Sequence, residues 1–429
     1  MEQKSKNGNL IAIITMCFIF AMISFVTNMA APFGNIWKGQ YPWAGMMGNM
    51  MNFAAYLFMG IPAGKMLMKV GYKKTTLIAL ATGFCGIVIE WMSSFSFVGA
   101  AAIYVYLLGA FVCGFCVCML NTVVNPMLNL LGGGGNRGNQ LIQTGGTLNS
   151  LTGTLTPLLI GVLIGTVTSS TSMSDVVPLL FIAMAVFAIA FIIIWFVKIP
   201  EPAQERKTVA YEHSAWNFRH FVLGAVAIFF YVGIEIGIPA QVNFFLSDAT
   251  EKGAGIAVNG AAIGGAIAAV YWLLMMIGRF SSTLISGKIS TRTQMTTVSL
   301  VAIILVLAAI FTPKEVAVNM PGYSSADGFT MFQVPLSCLF LVLCGLCTSI
   351  MWGAIFNLAV EGLGKYTEAA SGIFMMLVVG GGIMPLIQEY LAKGVGYMNS
   401  YWLVVAMLAY LLFYALIGSK NVNKDIPVD

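Results

Sequence analysis

The stretch VVPLLFIAMAVFAIAFIIIWFVK, residues 176–198, decides the fold class of this chain. From Val176 to Val197 it carries no charged side chain, and as a helix it is long enough to cross the roughly 30 Å hydrocarbon core of a bilayer. The residues that follow, IPEPAQERKTVAYEHSAWNFRH at 199–220, form the most polar part of the chain. An apolar helix that ends in a charged connector predicts a membrane span that leaves the lipid at this point.

Apolar stretches of similar length recur along the whole chain. Hydrophobic residues make up 59% of the 429 positions and charged residues 9%, whereas about 25% of residues are charged in an average soluble domain. This composition excludes an ordinary cytosolic enzyme and predicts an all-α membrane protein. The apolar runs and their polar breaks predict twelve transmembrane helices, at 9–33, 44–69, 75–94, 99–129, 139–166, 176–198, 217–246, 259–286, 292–312, 333–359, 369–392 and 399–418.

The polar connector divides the predicted spans into six and six. We therefore expect an N-terminal six-helix half at 1–198, a cytoplasmic linker at 199–216 and a C-terminal six-helix half at 217–429. Two six-helix pseudo-repeats resemble the layout of a major-facilitator-type transporter, in which the substrate site lies between the halves near the midplane.

The lysines and arginines predict the orientation of the spans. With both termini in the cytoplasm, 17 of the 21 basic residues fall on the cytoplasmic side, and the other four are Lys38, Lys252, Lys314 and Lys393. This asymmetry satisfies the positive-inside rule. The net charge of +5 therefore reports topology, and we expect no nucleic-acid partner.

Signals for a catalytic or cofactor site are absent from the sequence. The chain has two histidines, and its eight cysteines lie in apolar runs. The run Gly132–Gly135 lacks the Lys-Ser/Thr pair that follows the glycines of a phosphate-binding loop. We therefore expect no enzyme activity, no cofactor and no resident metal, apart from a sodium ion that could bind near Glu235. A monomer is the default expectation.

Glu235 is an acid in the middle of a predicted span, YVGIEIGIP at 231–239. An ionised carboxylate that faced lipid there would be unfavourable by several kcal/mol, so it must face a partner, a cavity or a cation. It is either a cation-coupling group or a hydrogen-bonded strut between helices. Glu90 and Glu389 lie near the outer ends of their spans, where we expect them to reach water.

Uncharged amides on several spans form a second polar group. Many hydrogen-bonding groups with few charges suit a neutral polyhydroxylated solute, and aromatic rings can stack on sugar rings. The alternative is that each amide joins neighbouring helices, at about 0.6 kcal/mol per contact. The candidate sugar contacts are Asn28, Asn52, Asn121, Asn125, Gln143, Asn149, Tyr271, Trp272, Asn357 and Gln388.

Several segments together resemble the fucose:proton symporter family, the major facilitator branch that also contains bacterial glucose/galactose transporters. The resemblance is spread through both halves and is most specific in the tenth span and just after it. The segments are PAGKMLMKVGYKK at 62–74, NTVVNP at 121–126, Gln143-Thr144, YVGIEIGI at 231–238, Gly278-Arg279-Phe280, SIMW at 349–352 and EGLGKYT at 361–367.

The departures from the family pattern concern the acids. Fucose transporters of this family carry an acid in the first span and a glutamate that opens the fourth-span motif. Here the first span has Thr27 and Asn28 but no acid, and Asn121 opens the fourth-span motif. The remaining match, Glu235, is similar to the seventh-span glutamate of the glucose/galactose-type members. Fucose is therefore not the expected substrate.

The resemblance implies secondary active import of a neutral sugar, a hexose or a related compound, by alternating access in the inner membrane. We expect coupling to a proton or a sodium ion through Glu235. We also predict that Arg279 and Glu361 form a cytoplasmic gate pair when the carrier faces outward. The alternatives are an uncoupled sugar carrier, a drug or peptide exporter of the same superfamily, or a membrane-embedded enzyme or sensor.

Overall fold

The computed structural model describes residues 2–41, 44, 47–95, 99–164, 172–201, 213–256, 260–324, 328–423 and 425–428. Each predicted span of the first half corresponds to one long helix. The helices are α1 (Glu2–Gln40), α2 (Met47–Val70), α3 (Tyr72–Met92), α4 (Ala100–Leu131), α5 (Gly135–Ile164) and α6 (Val177–Phe196). Most of the predicted linker, 202–212, lies outside the described residues, so the predicted division into two halves stays a prediction.

The second half is more segmented. Its helices are α7 (Arg219–Ser247), α8 (Gly260–Ile285), α9 (Thr291–Phe311), α10 (Leu336–Thr348), α11 (Met351–Val360), α12 (Thr367–Met376), α13 (Gly380–Val395), α14 (Tyr397–Ser400) and α15 (Trp402–Phe413). The tenth predicted span is thus broken between α10 and α11. A 3-10 turn, Leu377–Val379, separates α12 from α13 in the eleventh, and a π-helical turn, Tyr414–Gly418, ends the twelfth.

Most of the predicted spans are long and apolar enough to cross a membrane. Within the described residues, ten helical stretches meet this test of length and composition. The described parts of α2 and α5 are not among the ten; α2 carries Lys65 and Lys69, and the described side chains of α5 include several amides and hydroxyls. The structure agrees with the predicted class, an all-α membrane protein, and the polar α5 lies beside the candidate site described below.

One element was not predicted. Between α9 and α10 the chain forms an antiparallel hairpin of β1 (Ala317–Ser324) and β2 (Gly328–Pro335), in a register that runs from Ala317 opposite Pro335 to Ser324 opposite Gly328. The predicted tenth span began at 333, inside β2. Pro321 and Gly322 weaken the strand signal of this segment, because both residues are unusual inside strands.

The two ends of the bundle differ in the residues and elements that they carry. The basic end is where α2 passes into α3, with Lys69, Lys73 and Lys74, and the hairpin end is the one that carries β1 and β2. Glu201 lies at the basic end, where its carboxylate accepts from the backbone N–H groups of Tyr72 at 2.6 Å and Lys73 at 2.9 Å. The first residues after α6 are thereby attached to the start of α3.

Glycines allow the two halves to approach closely toward the basic end. A Cβ at Gly60 of α2 would lie 2.5 Å from the backbone nitrogen of Met376, and one at Gly64 would lie 2.9 Å from the Cα of Gly372. Atoms do not approach this closely in proteins, so the contact between α2 and α12 requires glycine at these positions. The spacing of Gly60 and Gly64 is typical of such crossings.

Candidate functional site

A small cavity lies in the middle of the bundle, between the two halves of the chain. It has a volume of about 50 Å³, enough for about three or four water molecules. A hexose would need the halves to separate. The lining residues come from α1, α5, α7 and α8, and they are Ser24, Asn28, Asn149, Ser150, Gly153, Glu235, Trp272, Met275 and Arg279.

Glu235 and Arg279 form a buried ion pair in the wall of this cavity. The Arg279 Nη2 donates to Oε1 of Glu235 at 3.1 Å, and the two side chains are 9% and 12% exposed, respectively. The Tyr231 hydroxyl donates to the same oxygen at 2.9 Å. Glu235 therefore has a cationic partner and a neutral donor, which together offset the loss of hydration that an isolated carboxylate would suffer here.

Arg279 also joins the two halves of the chain. Within the second half its Nε donates to the carbonyl oxygen of Ser349 at 3.1 Å. Across the boundary its Nη1 donates to the Ser150 hydroxyl at 2.8 Å and to the Gly146 carbonyl oxygen at 3.2 Å, both on α5. One guanidinium group thus connects the carboxylate of α7 to the backbone and side chains of α5.

The local sequence explains how these groups come together. Tyr231 and Glu235 are four residues apart, so they lie on one face of α7. Gly278 lets α8 pack directly on Ser349, because a Cβ at this glycine would collide with the serine side chain. This close packing brings the adjacent Arg279 within hydrogen-bond distance of the Ser349 carbonyl.

Three of the predicted sugar contacts line the cavity: Asn28, Asn149 and Trp272. The Nδ2 of Asn28 donates to the carbonyl oxygen of Ser24 at 2.8 Å, within α1. The Asn149 side chain donates to the Phe20 carbonyl at 2.8 Å and accepts from Arg279 at 3.4 Å. These side chains surround the ion pair with further hydrogen-bonding groups.

Three other predicted contacts bridge the halves between the cavity and the basic end. Asn125 accepts from the indole N–H of Trp352 at 3.0 Å, and Gln143 donates to the carbonyl of Ile350 at 2.8 Å. Asn357 accepts from Asn129 at 2.7 Å. These amides hold the two halves together on this side. They were predicted to contact the sugar, but in this structure they bond to residues of the other half.

Two predicted contacts are bonded inside a single half. Asn121 donates to the Tyr56 hydroxyl at 2.9 Å, and the Tyr271 hydroxyl lies 2.8 Å from the Thr348 hydroxyl. The structure thus places both residues in helix packing, outside the cavity lining.

The remaining two predicted contacts, Asn52 and Gln388, are buried, and their side-chain amides are not fully hydrogen-bonded. Asn52 is 6% exposed and Gln388 is fully buried. Within the described part of the chain, Oδ1 of Asn52 and both amide atoms of Gln388 have no hydrogen-bond partner. Neither residue lines the central cavity.

The predicted pair of Arg279 and Glu361 does not form in this structure. Arg279 bonds to Glu235, and Glu361 accepts instead from Arg292 at 3.4 Å on the surface, with side chains 53% and 39% exposed. The reason is depth: Arg279 lies six residues before the end of α8 at Ile285, roughly 9 Å inside at 1.5 Å per residue. Glu361, just after α11, stays at the basic end.

The expectation for Glu90 was also wrong. Its side chain does not reach water: the residue is 6% exposed and packs against α4, where a Cβ at Gly109 would lie 2.6 Å from the Glu90 Cγ. The small residue at 109 lets α3 and α4 approach so closely that the carboxyl is enclosed. Glu389 behaves as expected, with a side chain 34% exposed and a 3.0 Å ion pair with Lys393.

Sequence reasoning missed several members of the site. Tyr231 was not proposed as a partner of Glu235, although its position one turn earlier was a usable signal. Ser150 lies next to Asn149 among the polar side chains at helical spacing on the fifth span, which was also a usable signal, whereas Met275 gave none. The described residues contain no cluster of three or more His, Cys, Asp or Glu side chains that could hold a metal ion, and a sodium ion near Glu235 stays a prediction.

Known proteins with similar sequences are membrane transporters. A sequence profile described as Major Facilitator Superfamily matches residues 10–377. The chain is 31% identical to a glucose/galactose transporter of Brucella abortus, over 98% of this chain and 96% of that protein. It is 29% identical to a putative glucose/galactose transporter of Helicobacter pylori, over 86% of each.

A solved structure shares the fold. A crystal structure of the Escherichia coli fucose:proton symporter FucP superposes with a TM-score of 0.78 at 19% identity, covering 96% of this chain and 100% of that chain. This match confirms the predicted fold, and the family profile and the Brucella relative confirm the resemblance given by the sequence.

Proposed function

Because this chain belongs to the Major Facilitator Superfamily, we propose that it imports a neutral hexose-type sugar, coupled to a cation through Glu235. The observation that carries this proposal is the Glu235–Arg279 pair in the wall of a cavity between the halves. Its relatives are transporters, which confirms the expectation of a transporter and not an enzyme.

The cavity has the chemistry that a sugar requires. Asn28, Asn149, Ser150 and Arg279 offer hydrogen-bond donors and acceptors, and Trp272 offers an aromatic face. A hexose satisfies such groups with its hydroxyls and needs no counter-charge. The names of the Brucella and Helicobacter relatives also favour glucose or galactose over fucose.

The ion pair can couple the sugar to a cation. Sugar hydroxyls that accept from Arg279 compete with Glu235 for the same guanidinium. A carboxylate that loses its cationic partner in a water-poor site becomes a strong acceptor for a proton. Sugar binding therefore favours proton binding, and by linkage proton binding favours sugar binding to the same extent.

The geometry favours a proton over sodium. The Glu235 Oε1 already accepts from Arg279 and Tyr231, so a sodium ion at this oxygen would lie close to the guanidinium charge. A proton neutralises the carboxylate without placing a second cation beside Arg279. Once neutral, Glu235 no longer holds Arg279, and the bonds from Arg279 to α5 can rearrange as the halves move.

The basic end indicates the orientation of the chain in the membrane. We propose that the basic end faces the cytoplasm, with both termini there, in a bacterial inner membrane. The hydrogen bonds of Gln143 and Asn357 then close the cytoplasmic side, as expected of a carrier that receives sugar from outside. We propose a monomer as the working unit.

Purified protein in liposomes tests the proposal. Radiolabelled D-glucose and D-galactose uptake is measured under an inward proton gradient, an inward sodium gradient, or neither. We expect the proton gradient to drive accumulation. In Glu235→Gln, accumulation should be lost, whereas exchange of labelled for unlabelled sugar at equal concentrations should persist, since a neutral side chain mimics the protonated state.

Glu361→Gln is the matched control, because it neutralises an exposed carboxylate that is also paired to an arginine. It should accumulate sugar like the parent. Accumulation by Glu235→Gln equal to that of the parent would overturn coupling through this residue. Sodium-driven accumulation would overturn the choice of a proton, and the absence of any sugar uptake by the parent would overturn the substrate class.

A further inference from the structure

The β1–β2 hairpin presents an apolar face that is not packed against the protein. Tyr323 and Phe329 are opposite each other in the ladder, with ring centroids 5.1 Å apart. Phe329 is 90% exposed, and Met331 next to it on the same face is 58% exposed. An apolar patch of this kind is unfavourable in water, which indicates that it contacts a membrane or another apolar surface.

The polarity of this face changes along the hairpin. Nearer the base, the facing pair is Asn319 and Gln333, both exposed. Just before the strand, Lys314 donates to the Glu251 carbonyl oxygen at 2.8 Å. The hairpin is thus polar at its base and apolar toward its turn, which is the pattern of an element that passes from water into a membrane interface.

The opposite face of the hairpin packs on the side of α8 that is exposed further along the helix. A Cβ at Gly322 would lie 3.1 Å from the Cβ of Ala266. A stripe of exposed side chains at helical spacing starts seven residues after Ala266 on α8. Its members are Leu273, Ile277, Phe280 and Leu284. Since seven residues are close to two full turns, Ala266 lies on the same stripe.

The depth of this contact matches the boundary of the hydrocarbon core. α8 ends at Ile285, and Lys288 follows. A 30 Å core corresponds to about 20 residues of helix, so a core that begins near Ile285 ends near Ala266. The apolar pair of the hairpin, one residue beyond Gly322, is therefore at the level where aromatic side chains concentrate in membrane proteins.

We propose that the β1–β2 hairpin is a membrane anchor whose Tyr323–Phe329 pair lies in the headgroup region of the leaflet at the hairpin end. The lipid contact continues the exposed stripe of α8 outward. The anchor would hold the outer end of α8, the helix that carries Arg279, at a fixed depth.

Spin labelling measures the depth directly. Single cysteines replace Phe329 or Tyr323 in the apolar pair, and Asn319 or Gln333 in the polar pair, in a Cys85→Ser background because Cys85 is exposed. Nitroxide-labelled protein is reconstituted in phosphatidylcholine bilayers. Accessibility to oxygen, which concentrates in lipid, is compared with accessibility to a water-soluble nickel chelate.

We expect the oxygen-to-nickel ratio to be several-fold higher at positions 323 and 329 than at 319 and 333. If the variant at one position of a pair fails to fold, the other position of that pair still gives the measurement. Equal ratios at all four positions, with ready access to nickel, would overturn the proposal and place the hairpin in water or against another protein. The result does not depend on the transported substrate.

Discussion

The indole Nε1 of Trp352 donates a 3.0 Å hydrogen bond to Oδ1 of Asn125, and this bond joins α11 to α4 across the boundary between the halves. Asn125 is fully buried and its own Nδ2 donates to the Asn121 carbonyl at 2.8 Å. The bond therefore belongs to a packed interface and contributes to closure of the basic end.

Loss of this bond should favour the state that is open at the basic end. Trp352→Phe removes the donor and keeps an aromatic ring. A bond worth about 1 kcal/mol corresponds to about a fivefold shift in the open-to-closed ratio. The readout is the alkylation rate of Ser371→Cys, since Ser371 donates to the Thr122 carbonyl across the same boundary. An unchanged rate would contradict a role for Trp352 in closure.

Arg279 should be essential for stability as long as Glu235 is charged. Arg279→Met leaves a buried carboxylate without its cation, which is expected to destabilise the protein by about 3–5 kcal/mol. Adding Glu235→Gln removes the stranded charge, so the double variant should recover most of the melting temperature in detergent. If the double variant is no more stable than Arg279→Met, the destabilisation comes from the other bonds of Arg279.

The close contact between α2 and α12 should tolerate no side chain. Gly60→Val places atoms where Met376 backbone lies, so we expect it to prevent closure of the basic end and to reduce sugar uptake to background. Gly265→Ala is the control, because a Cβ there meets nothing within 4 Å. Normal uptake by folded Gly60→Val would show that this contact is not needed in the transport cycle.

Composition and spacing could predict the spans and the isolated carboxylate, but not what each polar side chain faces. Twelve spans follow from apolar runs, and Glu235 needed a partner because of its depth. Its partner Arg279 was instead predicted to pair with Glu361, since a run of residues does not reveal how far each helix is rotated about its axis or how neighbouring helices align in height. The same limit explains why Asn28 and Asn121 were both predicted to contact the sugar, although Asn28 lines the cavity and Asn121 bonds to Tyr56.

The carboxylate of Glu201 should stabilise the start of α3. It accepts from the N–H groups of Tyr72 and Lys73, which belong to the first turn of the helix, where no carbonyl of the same helix can accept them. Glu201→Ala is expected to reduce stability by about 1 kcal/mol, as for other capping residues, with uptake by the folded protein unchanged. Thermal unfolding of the two proteins gives the difference, and an unaltered melting temperature would contradict the capping role.

Asn28 and Asn121 should separate sugar binding from helix packing. Asn28 lines the cavity, so Asn28→Ala removes a group available to the sugar, and loss of one hydrogen bond of about 1.4 kcal/mol raises KM about tenfold. Its melting temperature should change little.

Asn121 is buried and donates to Tyr56, so Asn121→Ala should have the opposite profile. A buried hydroxyl left without its partner destabilises the protein by about 1–3 kcal/mol, whereas KM of the folded fraction should stay near that of the parent. Uptake kinetics and unfolding of both variants check this contrast. A raised KM in Asn121→Ala with unchanged KM in Asn28→Ala would move the sugar site toward α4 and away from the cavity beside Glu235.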